Sequence, residues 1–206
     1  MAQAYHHGDL KQALLDAALA LISEHGISAV TMSKVATRTG VSSGAPYRHF
    51  KDRMALLRAL SVHAQSTFEA RFAVVTADAP NPKEAFRRIG VEYVRFAVAQ
   101  PAMFAVLSRG DLIDRDTDVP NSEDAAFLIG LEKLLADGDP DAPLDANNPL
   151  IQQLAARCMM HGLAHFFVDG LLGLIGVGPD QAVRVAEALA AALNSPNSHD
   201  RFVLPK

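Results

Sequence analysis

The chain contains 206 residues, half of them hydrophobic, and carries a formal net charge of −4 at pH 7. Its length allows one large or two small domains with a sizeable core, and its charge argues against a generally basic nucleic-acid-binding surface. The single cysteine, Cys158, cannot form an internal disulfide, and we find no secretory leader pattern. These features favour a cytoplasmic protein.

The charges are distributed unevenly along the chain. Residues 1–60 hold seven Lys or Arg and four Asp or Glu, a net charge of +3, whereas the other residues hold twelve and nineteen, a net charge of −7. A basic head on an acidic body would orient a protein on DNA. We therefore expect the nucleic-acid contacts to lie in the first 60 residues.

The first helix is predicted to follow an arm, residues 1–8, that touches the DNA backbone. Apolar side chains then recur at helical spacing at Leu10, Leu14, Ala17, Ala18, Leu21 and Ile22. Gly26 ends the helix, since glycine is common just after a helix C-terminus. We expect this helix to pack under the segment that follows and to support it.

Residues 31–50, TMSKVATRTGVSSGAPYRHF, have the pattern of two short helices joined by a tight turn. Thr31 is a good N-cap for the first helix, and Gly40 follows its last residue, where a left-handed backbone favours glycine. Ser42 is predicted to cap a second helix over residues 43–49. This is the pattern of a helix-turn-helix, whose second helix enters the DNA major groove.

Residues 40–57, GVSSGAPYRHFKDRMALL, resemble the signature of the tetracycline-repressor (TetR) family. That family usually shows Gly-Val-Ser, a Tyr within the recognition helix, a Phe, a Lys and a Leu-rich start of the next helix. Arg53 replaces the usual Lys and changes its hydrogen-bonding geometry, and Pro46 removes an N–H from the recognition helix. The resemblance implies an all-α protein, with an N-terminal three-helix helix-turn-helix DNA-binding domain (residues 1–55) and a larger helical ligand-binding and dimerisation domain (residues 56–206).

The side chains of the helix-turn-helix divide into two predicted roles. Hydroxyl and basic groups suit phosphate oxygens, which position a protein without specifying sequence: Thr31, Ser42, Tyr47, Lys51 and Arg53. The expected readers of base edges or the groove are Ser43, Gly44, Ala45, Arg48 and His49. Only Arg48 could form a bidentate contact with guanine, and a solvated or phosphate-bound Arg48 is an equal alternative. Phe50 is expected in the core.

The helices of the body are predicted from apolar periodicity and capping residues. Their expected ranges are 52–75, 82–100, a short segment at 103–107, 122–136, 148–174 and an alanine-rich helix after Pro179. The helix over 148–174 is apolar nearly all round. A helix buried between two layers explains this pattern better than a membrane span, because ionisable side chains such as His161 and Asp169 are costly in lipid.

Two patterns resemble metal sites, and we predict neither as one. His161, His165 and Asp169 lie at i, i+4 and i+8, so the outer pair is about 12 Å apart and one ion cannot bind all three. Hydrogen-bonded histidines are the favoured interpretation. Alternating aspartates over residues 114–118 and 137–141 lack the glycine and glutamate of a calcium loop, which predicts solvated loops.

Residues 160–170 and 100–104 resemble the WHG-type effector domain of one TetR branch, with Met160 where that motif usually has Trp. This resemblance implies a homodimer formed through the last two helices and a small apolar effector, with no cofactor. The candidate effector contacts are Phe68, Phe72, Phe86, Tyr93, Phe96, Met103, Phe104, Phe127, His161 and His165.

The sequence therefore predicts a regulator, most simply a repressor that leaves double-stranded operator DNA when its effector binds. No Ser-His-Asp set or glycine-rich phosphate loop supports an enzyme. One alternative is a helical carrier of a lipid-like ligand that binds no DNA. Another is an activator or a nucleoid-type DNA-binding protein without an effector.

Overall fold

The computed structural model describes residues 7–113, 125–137 and 142–193. Within these ranges the chain forms eight α-helices and no strand, so the predicted all-α class is confirmed. The helices are α1 (His7–His25), α2 (Met32–Thr39), α3 (Arg53–Thr76), α4 (Pro82–Ala99), α5 (Pro101–Leu107), α6 (Ala125–Asp137), α7 (Pro149–Val168) and α8 (Ala182–Leu193). Short 3₁₀ segments connect several of them.

Some predictions fall on other parts of the chain. Most of the predicted arm, the first calcium-like loop over 114–118 and the tail from Ser195 lie outside the described residues, as do Asp139 and Asp141. Residues 7 and 8 are an exception, because α1 already begins at His7. His7 and Gly8 therefore belong to α1 rather than to the predicted arm.

The described residues form two compact units. The first contains residues 7–69 and 100–113, and the second contains residues 70–99, 125–137 and 142–193. These units divide between residues 69 and 70, whereas the predicted domain boundary lies earlier in α3, between residues 55 and 56, and α5 belongs to the first unit. The reason is packing, because Val106 of α5 is fully buried in the core of the first unit. The DNA-binding role of residues 1–55 stays a prediction.

The core of the first unit is built from leucines of α1 and α3. Leu14, Leu56, Leu57 and Leu60 are all fully buried, and so is Ala18 of α1. Burying one leucine stabilises a fold by about 1.5–3 kcal/mol. This cluster therefore gives a rigid base to the segment between α1 and α3.

The second unit is organised around α4, which packs against both α7 and α8. Its Val94, Phe96 and Ala97 are fully buried. The alanines of α8 that are buried recur every four residues, which places them on one face of the helix: Ala182, Ala186 and Ala190. Small side chains on that face permit close packing against α4.

A glycine lies where α4 contacts a side chain of α7, at Gly90. A Cβ added there would lie 3.1 Å from Cγ of Met160, the residue that stands at the tryptophan position of the WHG motif. By contrast, a Cβ added at Gly162 or Gly173 would meet nothing within 4 Å in this chain. Gly90 therefore makes room for Met160, a contact between two helices that no local sequence pattern indicates.

Helix α7 is shorter and less buried than predicted. It ends at Val168 rather than near residue 174, because Gly170 adopts a left-handed backbone with φ of 76°. Cys158 is exposed and Phe166 is 48% exposed, so α7 is not covered on all sides within one chain. Over the described ranges, no helix combines the length and apolar character needed to cross a membrane.

Candidate nucleic-acid interface

Helix α2 begins and ends as predicted. The backbone N–H of Lys34 donates to the Thr31 hydroxyl at 3.2 Å, which makes Thr31 the N-cap. Gly40 ends the helix with a left-handed φ of 74°. Val35 is fully buried and holds α2 against the core. The opposite face of the helix, which includes Ser33, Lys34 and Thr37, is exposed.

The predicted recognition helix over residues 43–49 is not an α-helix. Residues 43–50, which we call the recognition turn, contain only a 3₁₀ segment, Pro46–Arg48. The backbone N–H of Ala45 donates to the carbonyl of Ser42 at 3.0 Å, where the continued α-helix would need an N–H from residue 46. Pro46 has no N–H, and glycine at position 44 weakens a helix further. Ala45 occupies the N-cap position without a side-chain cap, so the predicted cap by Ser42 is wrong.

The recognition turn still presents one polar face and buries one apolar face. Pro46 and Phe50 are buried, as predicted for Phe50, and attach the turn to the core. Tyr47 is 57% exposed, and the other exposed candidates are Ser42, Ser43, Gly44, Arg48 and Lys51. Ala45 and His49 are half-buried, and Thr31 is exposed at the start of α2. Eight of the ten predicted DNA contacts therefore lie between α2 and α3, and a ninth, Thr31, is the N-cap of α2.

The tenth predicted contact, Arg53, has an intramolecular role that sequence reasoning missed. Its side chain is half-buried, and its Nε donates to the carbonyl oxygen of Val30 at 2.7 Å. Its Nη2 donates to the carbonyl oxygen of Ile27 at 2.9 Å. Two of its donors therefore bind the connection between α1 and α2. A phosphate contact by Arg53 stays a prediction.

A second arginine joins α1 to α2. The guanidinium of Arg38 forms two hydrogen bonds with the carboxylate of Glu24, the first at 2.7 Å. These hydrogen bonds hold the pKa of Glu24 below its usual range. One positive charge of the basic head is therefore neutralised within the fold. No sequence signal indicated this pair, because the two residues lie on different helices.

The ten candidate effector residues are divided between the two units. Phe68, Met103 and Phe104 belong to the first unit, and the other seven belong to the second. Phe96 and Phe104 are almost completely buried, as core residues are. In the second unit, the guanidinium carbon of Arg157 lies 4.4 Å from the ring centroid of Phe127 and 5.7 Å from that of Phe86. Cation–π packing therefore accounts for the position of these two rings.

His161 forms a hydrogen bond, as predicted, and His165 lies close to an acidic side chain. The Tyr93 hydroxyl lies 2.8 Å from Nδ1 of His161, the rings of His161 and His165 meet edge to face at 4.7 Å, and Nδ1 of His165 lies 3.6 Å from the Asp169 carboxylate. Burial and the neighbouring His165 lower the pKa of His161, and burial raises the pKa of Tyr93. In the part of the chain that the structure covers, no three potential ligands are grouped to hold a metal ion.

An open groove of about 420 Å³ lies between α6 and the start of α7. It is lined by Gly130, Lys133, Leu134, Asp137 and Leu150. None of the ten candidate effector residues is among them. The groove of the second unit is therefore not formed by the candidate effector residues.

Comparison with known proteins identifies the family of the chain. Residues 14–60 match the family described as "Bacterial regulatory proteins, tetR family", and residues 86–193 match "Tetracyclin repressor-like, C-terminal domain". The transcriptional regulator SrpR of Pseudomonas putida is 33% identical over 64 residues, which are 31% of this chain and 30% of SrpR. The regulator AcrR of Shigella flexneri is 42% identical over 45 residues, which are 22% of this chain and 21% of AcrR. These matches span less than a third of either relative.

Solved structures match over nearly the whole chain. A Rhodococcus protein described as having unknown function is 26% identical with a TM-score of 0.62, covering 92% of this chain and 97% of that one. The fatty acid degradation regulator FadR of Bacillus halodurans is 17% identical with a TM-score of 0.61, covering 94% and 99%, and at that identity it shows the fold alone. The C-terminal match alone spans more than half of the chain, and both matched regions name the same family. The chain therefore belongs to the TetR family of bacterial regulatory proteins, which are transcription regulators rather than enzymes.

Proposed function

We propose that this protein is a cytoplasmic transcriptional repressor that binds double-stranded operator DNA as a homodimer. The observation that carries the proposal is the recognition turn, in which Tyr47 and Arg48 are exposed while Pro46 and Phe50 attach the turn to the core. A polar face held on a rigid base suits the major groove. The net charge of +3 over residues 1–60 favours the same surface.

The proposed dimer forms through α7 and α8. Within one chain, α7 exposes Phe166 and Cys158, and the exposed side of α8 includes the small side chains of Ala188, Ala191 and Ala192. Apolar and small residues on adjacent helices suit a self-complementary twofold interface. Two recognition turns would then bind two half-sites about 34–36 Å apart.

The proposed effector is a small apolar molecule that binds the second unit and lowers DNA affinity. The aromatic and histidine side chains of that unit support this assignment, since apolar pockets with few polar groups recognise such ligands. Coupling of about 1–3 kcal/mol between the two sites would be enough for regulation. FadR of Bacillus halodurans, which is similar in fold, is a regulator of fatty acid degradation.

The DNA contacts can be tested by selecting bound fragments from random DNA and then titrating variants on the selected operator. Arg48→Ala should relax specificity at one base position by about 1–3 kcal/mol, because a bidentate contact with guanine is lost. Tyr47→Ala should weaken binding to all DNA sequences alike, since phosphate contacts carry no sequence information. Lys83→Ala, an exposed change in the second unit, is the matched control. Equal losses of specificity in both variants would contradict this division of roles.

Oligomeric state and effector response need separate measurements. Sedimentation of the full chain should give a dimer, and small apolar compounds should release the selected operator fragment. A monomer that binds the operator tightly would overturn the dimer. Retention of an apolar ligand with no DNA affinity at any salt concentration would instead favour a lipid carrier.

A further inference from the structure

Arg53 lies at the first residue of α3 but binds the chain far upstream of it. Two hydrogen bonds of its side chain go to the carbonyl oxygens of Ile27 and Val30, 26 and 23 residues earlier. Ile27 begins the 3₁₀ segment that follows α1, and Val30 directly precedes Thr31, the N-cap of α2. One guanidinium therefore binds two carbonyl oxygens of the connection that leads into α2.

The two carbonyls have special positions in this connection. The Ile27 oxygen also accepts the backbone N–H of Val30 at 3.3 Å, so it is shared between the 3₁₀ turn and Arg53. Val30 has an extended backbone and a fully buried side chain. Hydrogen bonds from a charged donor are stronger than bonds between neutral groups, especially in partly buried positions. Arg53 thus holds the turn at the point where the chain changes direction into α2.

We propose that Arg53 is a positioning residue for DNA binding, which fixes the direction of α2 and of the recognition turn relative to α3. This inference depends on the proposed function, because it assumes that the recognition turn contacts DNA. The planar guanidinium presents donors on separate nitrogens and can bind two carbonyls at once. A lysine, the usual residue of the family signature at this position, has a single ammonium and cannot reproduce that geometry.

The rival interpretation is a direct phosphate contact, and it makes opposite predictions. Loss of one phosphate contact lowers the slope of log affinity against log salt concentration by about 0.9, and lysine substitutes well for arginine in such a contact. Loss of a positioning residue leaves the salt slope unchanged. It reduces the preference for the operator over random DNA, because base contacts need accurate placement whereas phosphate contacts tolerate displacement.

The experiment compares Arg53→Lys, Arg53→Met and the control Lys51→Met in the full chain. Lys51 is exposed and lies two residues away. Affinity for the selected operator and for a random fragment is measured over a range of salt concentrations. We expect both Arg53 variants to lose about tenfold or more of the operator preference with an unchanged salt slope. Lys51→Met should keep the preference for the operator over random DNA, and its slope of log affinity against log salt concentration should be smaller in magnitude by about 0.9.

Hydrogen exchange separates this inference from the proposed function. The Val30 amide should exchange about tenfold faster in Arg53→Lys than in the unchanged protein, whether or not DNA is bound, and Lys51→Met should leave it unchanged. Circular dichroism confirms that each variant is folded. Operator binding by Arg53→Lys equal to that of the unchanged protein, or unchanged exchange at Val30, would overturn the proposal. Absence of any DNA binding by the unchanged protein would refute the proposed function instead.

Discussion

Polar side chains act differently at the helix starts of the first unit and around Glu92 of the second unit. At the starts of α2 and α3 in the first unit, side chains bind backbone atoms: Thr31 and Asp52 accept N–H groups of the following turn, and Arg53 donates to carbonyls. In the second unit, Glu92 binds two side chains, Arg71 of α3 and Arg95 of α4. The first arrangement specifies a chain direction, whereas the second joins helix faces.

This difference shows what each of these two regions requires. A recognition surface depends on the path of the backbone between short helices, so side chains that bind backbone groups are most useful there. Around Glu92, the backbone groups of α3 and α4 already bind one another within each helix. The charged side chains there therefore contribute by joining Arg71 of α3 to α4.

The largest expected effect comes from Glu92, whose side chain is only 5% exposed between its two arginines. Glu92→Gln should lower the free energy of unfolding by about 2–3 kcal/mol, since removing one partner of a buried ion pair is costly. This loss of stability is smaller than is usual for breaking a buried ion pair, because Arg71 and Arg95 keep partial contact with water. Urea denaturation measures it.

Glu24→Gln is the matched control for this prediction in the first unit. It removes the carboxylate partner of Arg38, but both of those side chains are more than one-third exposed. Solvent screening should make its effect smaller than that of Glu92→Gln. Equal losses of stability in the two variants would contradict the expected difference between a buried and an exposed carboxylate.

An intermediate effect is expected at Gly40, where the recognition surface depends on backbone conformation. Gly40→Ala places a Cβ on a backbone with φ of 74° and should lower the free energy of unfolding by about 1–2 kcal/mol. Gly110→Ala is the control, because Gly110 lacks a positive φ and an added Cβ meets nothing within 4 Å. Thermal unfolding of both variants tests this, and a harmless Gly40→Ala would contradict it.

The smallest effect concerns the ion pairs that Glu84 forms with Arg87 and Arg88 on α4. Hydrogen bonds from Arg87 and then Arg88 lower the pKa of Glu84 to about 2, from the usual 4.5. A lowered carboxyl pKa stabilises the fold above pH 4.5, and that stabilisation is lost as the pH falls from 4.5 towards 2. Glu84→Gln should remove this part of the acid dependence, and 1 M salt should weaken it in the unchanged protein. Denaturation curves between pH 2 and 6 that coincide for both proteins would refute the prediction.

Local capping made the helix starts predictable. The N–H groups of the first helical turn need acceptors, and a suitable side chain a few residues away supplies one. Thr31 caps α2, and Asn81 accepts the N–H of Glu84 at 2.9 Å at the start of α4. Asn148 does the same for Leu150 at the start of α7. Each bond joins residues two or three positions apart, so the pattern is visible in the sequence.

Two predictions, the recognition helix and the end of α7, were wrong because local sequence preferences conflicted there. The signature of the family predicted a recognition helix, but Pro46 and Gly44 favour the shorter 3₁₀ turn. Helix α7 was extended too far because the apolar run continues past Gly170, where the backbone becomes left-handed. Periodicity alone does not show which competing preference prevails.

The sequence by itself determined the all-α class, the position of α2 with both its ends, and the family resemblance, because helix periodicity and capping are short-range properties of the chain. Only the tertiary structure decided that Arg53 binds Ile27 and Val30, and that Met160 packs onto Gly90. These contacts join residues more than twenty positions apart. Their formation depends on how the helices pack, which no local pattern encodes.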